Sequence, residues 1–497
     1  MKHINALIII CTLSSATQAQ WIQKGLDIDG DWTKDYSGES VSINADGTTL
    51  ATGGSGTDYG ATNTGRVRIY DWNNTASSWT YLMYIDGEAE DDLSGKSVSL
   101  SDDGNTVAIG ATGNDGTGTD AGHVRIYERS GGWIQKGADL DGEAAGDRSG
   151  ASVSISSNGN TVVIGAPEND ESGANAGHVR IYDWNSTTSS WLLLIDLDGE
   201  AADDESGTSV SISSNGNTVA IGAPNNDGAG SDAGHVRVYE WSGSAWAQKG
   251  ADIDGEAAGD ESGYSVSINS DGNTIAIGAP ENGFNGQTRV YEWSGSAWIQ
   301  KGADIDGETS TDKSGRSVSI SSDGNTLAVG APWNSGSGNQ AGHARVYKWT
   351  GSTWSQTGAD IDGERPYDES GRSVSLSADG TSLAIGAPLN DGTSTDPLFN
   401  NGHTRIYYFS TVGVIENSFG DDLLIYPNPT DGNLSIDLGM THESASLRVT
   451  DLNGKLMQSN SYNNSQMLDL KLEGPAGVYL LTVESGENKA VIRLLKE

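Results

Sequence analysis

The sequence predicts an all-β chain: a seven-bladed β-propeller closed by its own N-terminal strand, then a small immunoglobulin-like β-sandwich. Three observations carry this. A Ser-Gly pair opening a strand-like run recurs at Ser37, Ser94, Ser149, Ser206, Ser262, Ser314 and Ser370, at intervals of 52 to 57 residues, the length of a four-stranded blade. Short runs inside each unit alternate apolar and small polar residues, the period of a half-buried strand. One copy of the fourth strand is missing after the seventh unit and stands at the other end of the chain.

Taken in order, the chain begins with a removable signal. Lys2 and His3 precede the apolar run Ile4 to Leu13, and "SSATQA" offers small residues for cleavage after Ala19. The only cysteine, Cys11, lies inside that run, so the exported chain is expected to have no thiol chemistry. No other apolar run is long enough to span a bilayer.

The propeller is assigned to residues 20–410, and its fifth unit shows the pattern. "SVSIN" presents Val266 and Ile268 on one face, and "TIAIGAP" alternates again. Between them "SDGN" is a tight turn, with Asp271-Gly272 expected to supply positive-φ positions. "TRVYEW" is the third strand and "AWIQKGADI" the fourth. The Trp-x-Gln-Lys-Gly pattern begins at Trp133, Trp246 and Trp298, with looser versions at Trp79, Trp191 and Trp354. Nothing like it follows the seventh third strand, "HTRIYYFS"; the missing copy is "WIQKGLDIDG" from Trp21. That strand is expected to complete the last blade and fasten the ring. Residues 411–420 read as a linker. Residues 421–497 then show short alternating strands and an Asn453-Gly454 turn, the sandwich.

The formal charge of −40 argues against nucleic acid and anionic membranes, which would add repulsion. Cations, basic proteins and neutral sugars stay open. The acids concentrate in the loop from each fourth strand to the next first strand, with the skeleton Asp-Gly-x4-Asp-x-Ser-Gly, as at Asp254, Gly255, Asp260, Ser262 and Gly263. Asp252, Asp254, Glu256 and Asp260 could offer calcium hard oxygen ligands, although the spacing lacks the features of an EF-hand loop. The competing and favoured reading is that short aspartates cap backbone amides and turn a corner.

Seven third strands carry an arginine: Arg68, Arg125, Arg180, Arg237, Arg289, Arg345 and Arg405. Five follow a histidine two residues earlier. These groups are expected between blades, hydrogen-bonded to an aspartate or hydroxyl, and not as catalysts. No nucleophile elbow, zinc-binding histidine pair or phosphate loop is present.

Of the fourteen tryptophans, twelve are periodic and belong to blade packing; Trp32 and Trp333 break the period. With Tyr59, Tyr367 and Phe399 they fall in loops of blades six, seven and one that share a face, and they are the candidate ligand-binding patch. Blades two, three and four have no aromatic in the matching loops, and blade five has only Phe284.

The run "SGYSVSINSDGNTIAIGAP…TRVYEW" resembles the FG-GAP repeats of integrin α-subunit propellers, over residues 21 to 410. Ser stands where that family has Phe, and the turn between strands one and two is too short for its calcium loop, so those ligands do not carry over. The tail, with Tyr426-Pro427-Asn428-Pro429, Asp451 to Lys455 and Gly477-Val-Tyr-Leu…Lys489…Arg493, is similar to the type A C-terminal sorting domain of type IX secretion. That resemblance implies export through the periplasm to the outer-membrane surface or the medium, and an encounter with the secretion machinery. The favoured function is a non-enzymatic surface or secreted binding protein, an adhesin for polysaccharide or protein. An extracellular polysaccharide hydrolase or lyase, and a purely structural surface protein, are the alternatives.

Overall fold

A computed structural model describes residues 20–58, 62–392, 400–410, 416–417, 419, 423–426, 430, 432–450, 455–475, 477–486 and 488–496. The signal segment 1–19, Tyr59, Phe399, Pro427-Asn428-Pro429 and the Asn453-Gly454 turn lie outside them. Trp21–Phe409 form one compact unit, and Ser410–Glu497 fall in a second.

Seven antiparallel sheets of four or five strands make up the first unit. In the fifth blade these are Ser265–Ile268, Thr274–Ala279 and Gln287–Trp293, then Trp298–Gln300 with Ile305–Asp306. The seventh blade takes Ser373–Leu376, Ser382–Ala387 and His403–Ser410 from the end of the unit. Its outer strand is N-terminal: Gln20–Gln23 and Ile28–Asp29 both pair with His403–Ser410. The ring therefore closes as the sequence predicts.

Two departures are informative. The fourth strand is interrupted in five blades, as between Trp246–Gln248 and Ile253–Asp254. Gly250 there has φ +85, close to the +87 of its counterpart Gly25, and a Cβ would sit 2.8 Å from the Trp293 ring, so only glycine makes the kink. In blades one and three the Gln-Lys-Gly is absent, and Ser78–Asp86 and Ser190–Asp198 run through with only a register shift. The hairpin turn also differs from expectation. Gly272 alone has positive φ (72°), whereas Asp271 does not; instead its Oδ1 accepts the Asn273 N–H at 2.9 Å.

Packing explains why the repeated residues repeat. The first serine of each inner strand donates to a glycine carbonyl of the next blade, as Ser209 Oγ does to Gly263 at 2.7 Å. Six equivalents complete the circle, including Ser373 to Gly38 across the closure. The second serine accepts an N–H from the same neighbour, as Ser211 Oγ does from Ile268 at 3.0 Å; again the ring is complete through Ile43 N–H to Ser375 Oγ. Seven apolar clusters, one at each blade interface, lie behind these bonds. The cluster of Ile28, Val41, Ile43, Leu50, Ala384 and Ile406 seals blade seven to blade one.

At the rim, paired tryptophans cage a lysine of the preceding blade. Lys249 Nζ lies 5.6 and 5.7 Å from the Trp293 and Trp298 ring centroids, a cation–π arrangement. The same lysine donates to the Gly272 carbonyl at 3.0 Å, and its own carbonyl accepts Trp298 Nε1–H at 2.7 Å. Lys24, Lys136 and Lys301 repeat this. Where blades one and three lack the lysine, the following Trp133 and Trp246 have no hydrogen-bond partner for Nε1. The twelve periodic tryptophans are thus blade-packing residues, or their rim partners.

In the second unit, the six described strands are joined edge to edge by hydrogen bonds. Asn433–Thr450 is a single strand whose register shifts between Asp437 and His442. Both halves contribute to one core, with Leu434 and Ile436 from the first and Leu447 and Val449 from the second, packed with Leu468, Leu481 and Leu494.

Four variants test this packing. Trp21 is buried, stacks 5.2 Å from Phe409 and donates to the Thr357 carbonyl at 3.0 Å; Trp21→Ala should cost about 3 kcal/mol in urea unfolding, and deleting Trp21–Asp29 should make the chain self-associate through the bared edge. Ser209→Ala should cost about 1 kcal/mol. Gly222→Ala should cost more than Ser209→Ala, because its Cβ would meet the Gly263 carbonyl at 1.9 Å; equal costs would show that the blades are not held at this spacing.

Candidate binding site at the mouth of the central channel

The acidic loops resolve into corners. The skeleton aspartate is buried in every blade: Asp35, Asp92, Asp147, Asp204, Asp260, Asp312 and Asp368. Asp260 accepts the Ala257 N–H at 2.8 Å and the Asn282 side-chain amide at 3.0 Å, and its counterparts do the same for their own loops. Of the other proposed calcium ligands, Asp252 accepts from Gln248 at 2.6 Å and Glu256 from Gln287 at 3.3 Å. These oxygens hold the turn.

The third-strand arginines lie between blades. Most donate to the backbone carbonyl of the preceding blade's Asp-Gly, as Arg237 Nη2 does to Asp198 O at 2.6 Å; Arg125, Arg180, Arg289 and Arg405 match it. The partner is therefore mainly a main-chain oxygen. Hydroxyls join it at Ser149, Ser206 and Ser262, and carboxylates serve Arg68 and Arg345. Burial pushes the neighbouring imidazoles down, His178 to about 4 and His403 to about 3.

What varies between units is the x of Ser-Gly-x-Ser-Val-Ser. Those residues are Glu39, Lys96, Ala151, Thr208, Tyr264, Arg316 and Arg372. Each stands immediately before the Ser-Val-Ser of an inner strand, so ring closure gathers all seven around the mouth of the central channel, a space of about 270 Å³. Arg316 stacks on the Tyr264 ring at 3.9 Å. Among the described residues its guanidinium makes no hydrogen bond or ion pair. Burial, and then the charge of Arg372, push its pKa down to about 9. It stays charged at neutral pH, and an added anion would relieve it.

A side cleft of about 120 Å³ opens beside it, lined by Pro280, Glu281, Lys313, Arg316, Trp333 and Arg372. Lys313 pairs with Glu281 and stands 5.2 Å from the Trp333 ring centroid. Arg372 is 3.4 Å from Glu369, and Glu369 also accepts Trp333 Nε1–H at 3.2 Å. Lys96 pairs with Glu39 at 2.6 Å. Four cations thus meet on a strongly acidic chain, and the carboxylates Glu39, Glu281 and Glu369 are each already engaged by one of them.

Of the sequence-predicted aromatics, Trp333 lines this cleft. Tyr367 is exposed on the adjoining loop, where its N–H donates to Asn339 O at 2.8 Å. Trp32 stacks elsewhere, 5.1 Å from Arg66, which also faces Tyr84 at 4.1 Å and pairs with Asp86 at 2.6 Å. No ring contact or hydrogen bond joins Trp32 to Trp333 or Tyr367 among the described residues. Tyr59 and Phe399 lie outside them. Sequence reasoning missed Lys96, Tyr264, Arg316 and Arg372. The available signal was that one position varies freely inside an otherwise invariant seven-fold motif.

Comparison with known proteins agrees with both parts of the chain. Residues 424–497 match the family described as a secretion system C-terminal sorting domain. Residues 139–182 and 194–239 match the FG-GAP repeat. No curated protein matches the chain in sequence. Similar solved structures include a putative 6-phosphogluconolactonase from Bacteroides uniformis, at 10% identity, TM-score 0.46, and coverage of 65% of this chain and 85% of that one. A second putative 6-phosphogluconolactonase, from Bacteroides fragilis, gives 8%, 0.46, 65% and 84%. The WD40 repeats of RRP9 give 11%, 0.46, 79% and 100%. The chain carries FG-GAP repeats in a β-propeller and, at residues 424–497, a type IX sorting domain that directs export to the cell surface or the medium.

Proposed function

We propose that the exported propeller is a binding protein that holds a carboxylated polysaccharide at the channel mouth. The observation that supports this is Arg316, a charged guanidinium stacked on Tyr264 with no carboxylate of its own, beside Arg372, Lys313 and the Trp333 ring. A guanidinium next to an aromatic ring suits a sugar acid: the ring takes the pyranose face and the cation takes the carboxylate. The chain's overall negative charge is no obstacle to the sugar units seated at the mouth, since exposed charges more than about 8 Å away are screened at physiological salt. Binding is favoured over hydrolysis because the carboxylates at the mouth are tied to cations, whereas a glycosidase needs a pair free for acid and base work.

Calorimetry of the full chain with a uronic-acid oligosaccharide and its neutral counterpart tests the reading. The uronate should bind at least tenfold tighter, a difference of about 1.4 kcal/mol, and should weaken as salt is raised to 0.5 M. Arg316→Ala with Arg372→Ala should abolish that preference, Trp333→Ala should weaken binding of both sugars, and Trp32→Ala should change nothing. Equal affinity for the neutral sugar, indifference to the double substitution, or turnover of the oligosaccharide would each overturn the proposal.

A further inference from the structure

Five third strands begin with a histidine that faces carboxylates from neighbouring loops and from the fourth strand: His123, His178, His235 and His343, with His403 at the closure. In four of these the fourth-strand aspartate is held by the glutamine of Trp-x-Gln. Gln23 donates to Asp27 at 2.6 Å, Gln135 to Asp139 at 2.5 Å, Gln248 to Asp252 at 2.6 Å and Gln356 to Asp360 at 2.6 Å.

Blade three is different for a covalent reason. Its fourth strand has no Gln-Lys-Gly, and Leu193 stands opposite Tyr182 where Gln248 stands opposite Tyr239. Asp196, the counterpart of Asp252, therefore has no amide to hold it. Its Oδ1 is buried without a hydrogen bond. It lies 3.2 Å from Nδ1 of His178, a side chain with no solvent exposure and no hydrogen-bond partner for either ring nitrogen. A buried polar atom without a partner requires an explanation, and a bound ion is one; of the five strand-three histidines, His178 has both ring nitrogens in this state.

Two more oxygens point at the same place. Glu143 reaches in from the loop before blade three, with Oε2 3.8 Å from His178 Nδ1. Glu171 comes from the loop between the second and third strands, and among the described residues only this cluster has such a fourth member. One ligand atom from each of the four residues lies within 4.8 Å of the others. Among the described residues Arg180 is the cation that pairs with this cluster; its Nη2 is spent on Asp141 O and Ser149 Oγ, and its Nη1 is 3.7 Å from the other oxygen of Glu143.

We propose that Glu143, Glu171, His178 and Asp196 form a site for one first-row divalent cation. An imidazole nitrogen with three carboxylate oxygens is a donor set for zinc or manganese, whereas calcium takes six to eight oxygens. Tetrahedral ligands about 2.1 Å from zinc stand about 3.4 Å apart, close to the His178–Asp196 separation already present. The two glutamates are exposed enough to close the remaining distance. The bound ion would tie the loop before blade three to the loop inside it, on the same face as the channel mouth.

Calorimetric titration of the full chain, first stripped with EDTA, with Zn2+, Mn2+ and Ca2+ in turn tests this. One equivalent of zinc or manganese should bind at least tenfold tighter than calcium. Asp196→Asn should weaken binding at least tenfold. So should Leu193→Gln, which touches no metal, is half exposed, and restores the amide that occupies the aspartate elsewhere. Asp252→Asn, the matching change in blade four, should alter affinity less than twofold. Melting without metal checks that each variant is folded. No stoichiometric uptake, calcium bound as tightly, uptake unchanged by both blade-three variants, or equal loss in Asp252→Asn would overturn the proposal.

Discussion

The propeller depends on how closely its inner strands approach one another. Two rings of serine hydrogen bonds set that approach, one donated to a glycine carbonyl and one accepted from a strand N–H, both of the next blade. Each bond is individually modest, about 1 kcal/mol net. Their geometry leaves no room at the second strand for anything larger than glycine. A Cβ at Gly222 would lie 1.9 Å from the carbonyl that Ser209 binds, and Gly165, Gly278, Gly330 and Gly386 are similarly confined at 1.9 to 2.0 Å. The Ser-Val-Ser and Gly-Ala-Pro signatures are thus two halves of one contact, made between blades and not within them.

That constraint also sorts the chain into positions that are held and positions that are free. The serines, glycines and inward Val and Ile residues are consumed by the interface. The buried aspartates are consumed by loop amides, and the third-strand arginines by main-chain oxygens in five blades and by carboxylates at Arg68 and Arg345. The residue between the Ser-Gly and the Ser-Val-Ser has no such duty, and there the seven units diverge into Glu, Lys, Ala, Thr, Tyr and Arg. The outer strand is the second free zone. Losing Gln-Lys-Gly in blades one and three costs a lysine cage but leaves the inner rings untouched, so the ring tolerates local departures that alter its surface chemistry.

The low dielectric of the blade interfaces raises the stakes for the ionisable groups placed there. Burial keeps the strand-three histidines neutral and pushes Asp196 up to about 7, with Glu143 and Asp198 adding to the shift. Arg316 meets the opposite circumstance at the channel mouth, where a like charge and partial burial lower its pKa while an aromatic ring supports it. The same physics makes a buried group inert when a partner is supplied and chemically conspicuous when it is not.

Much of this was legible in the linear chain. The repeat of Ser-Gly pairs, the period-two strands and the displaced Trp-x-Gln-Lys-Gly copy determined seven blades and their closure, because each is a local pattern tied to local backbone geometry. The sorting tail was legible for the same reason. The acidic loop as a corner followed from the hydrogen-bonding habits of aspartate next to glycine. Three things were decided only by tertiary structure. The turn at Asp271-Gly272 uses positive φ at one residue, since the aspartate accepts an N–H instead. The arginines bind main-chain carbonyls, which no side-chain pattern announces. The cations of the channel mouth and the unheld Asp196 are set by residues that meet across blades. Lys96, Arg316 and Arg372 lie far apart in sequence, and only closure of a seven-membered ring brings them to one opening.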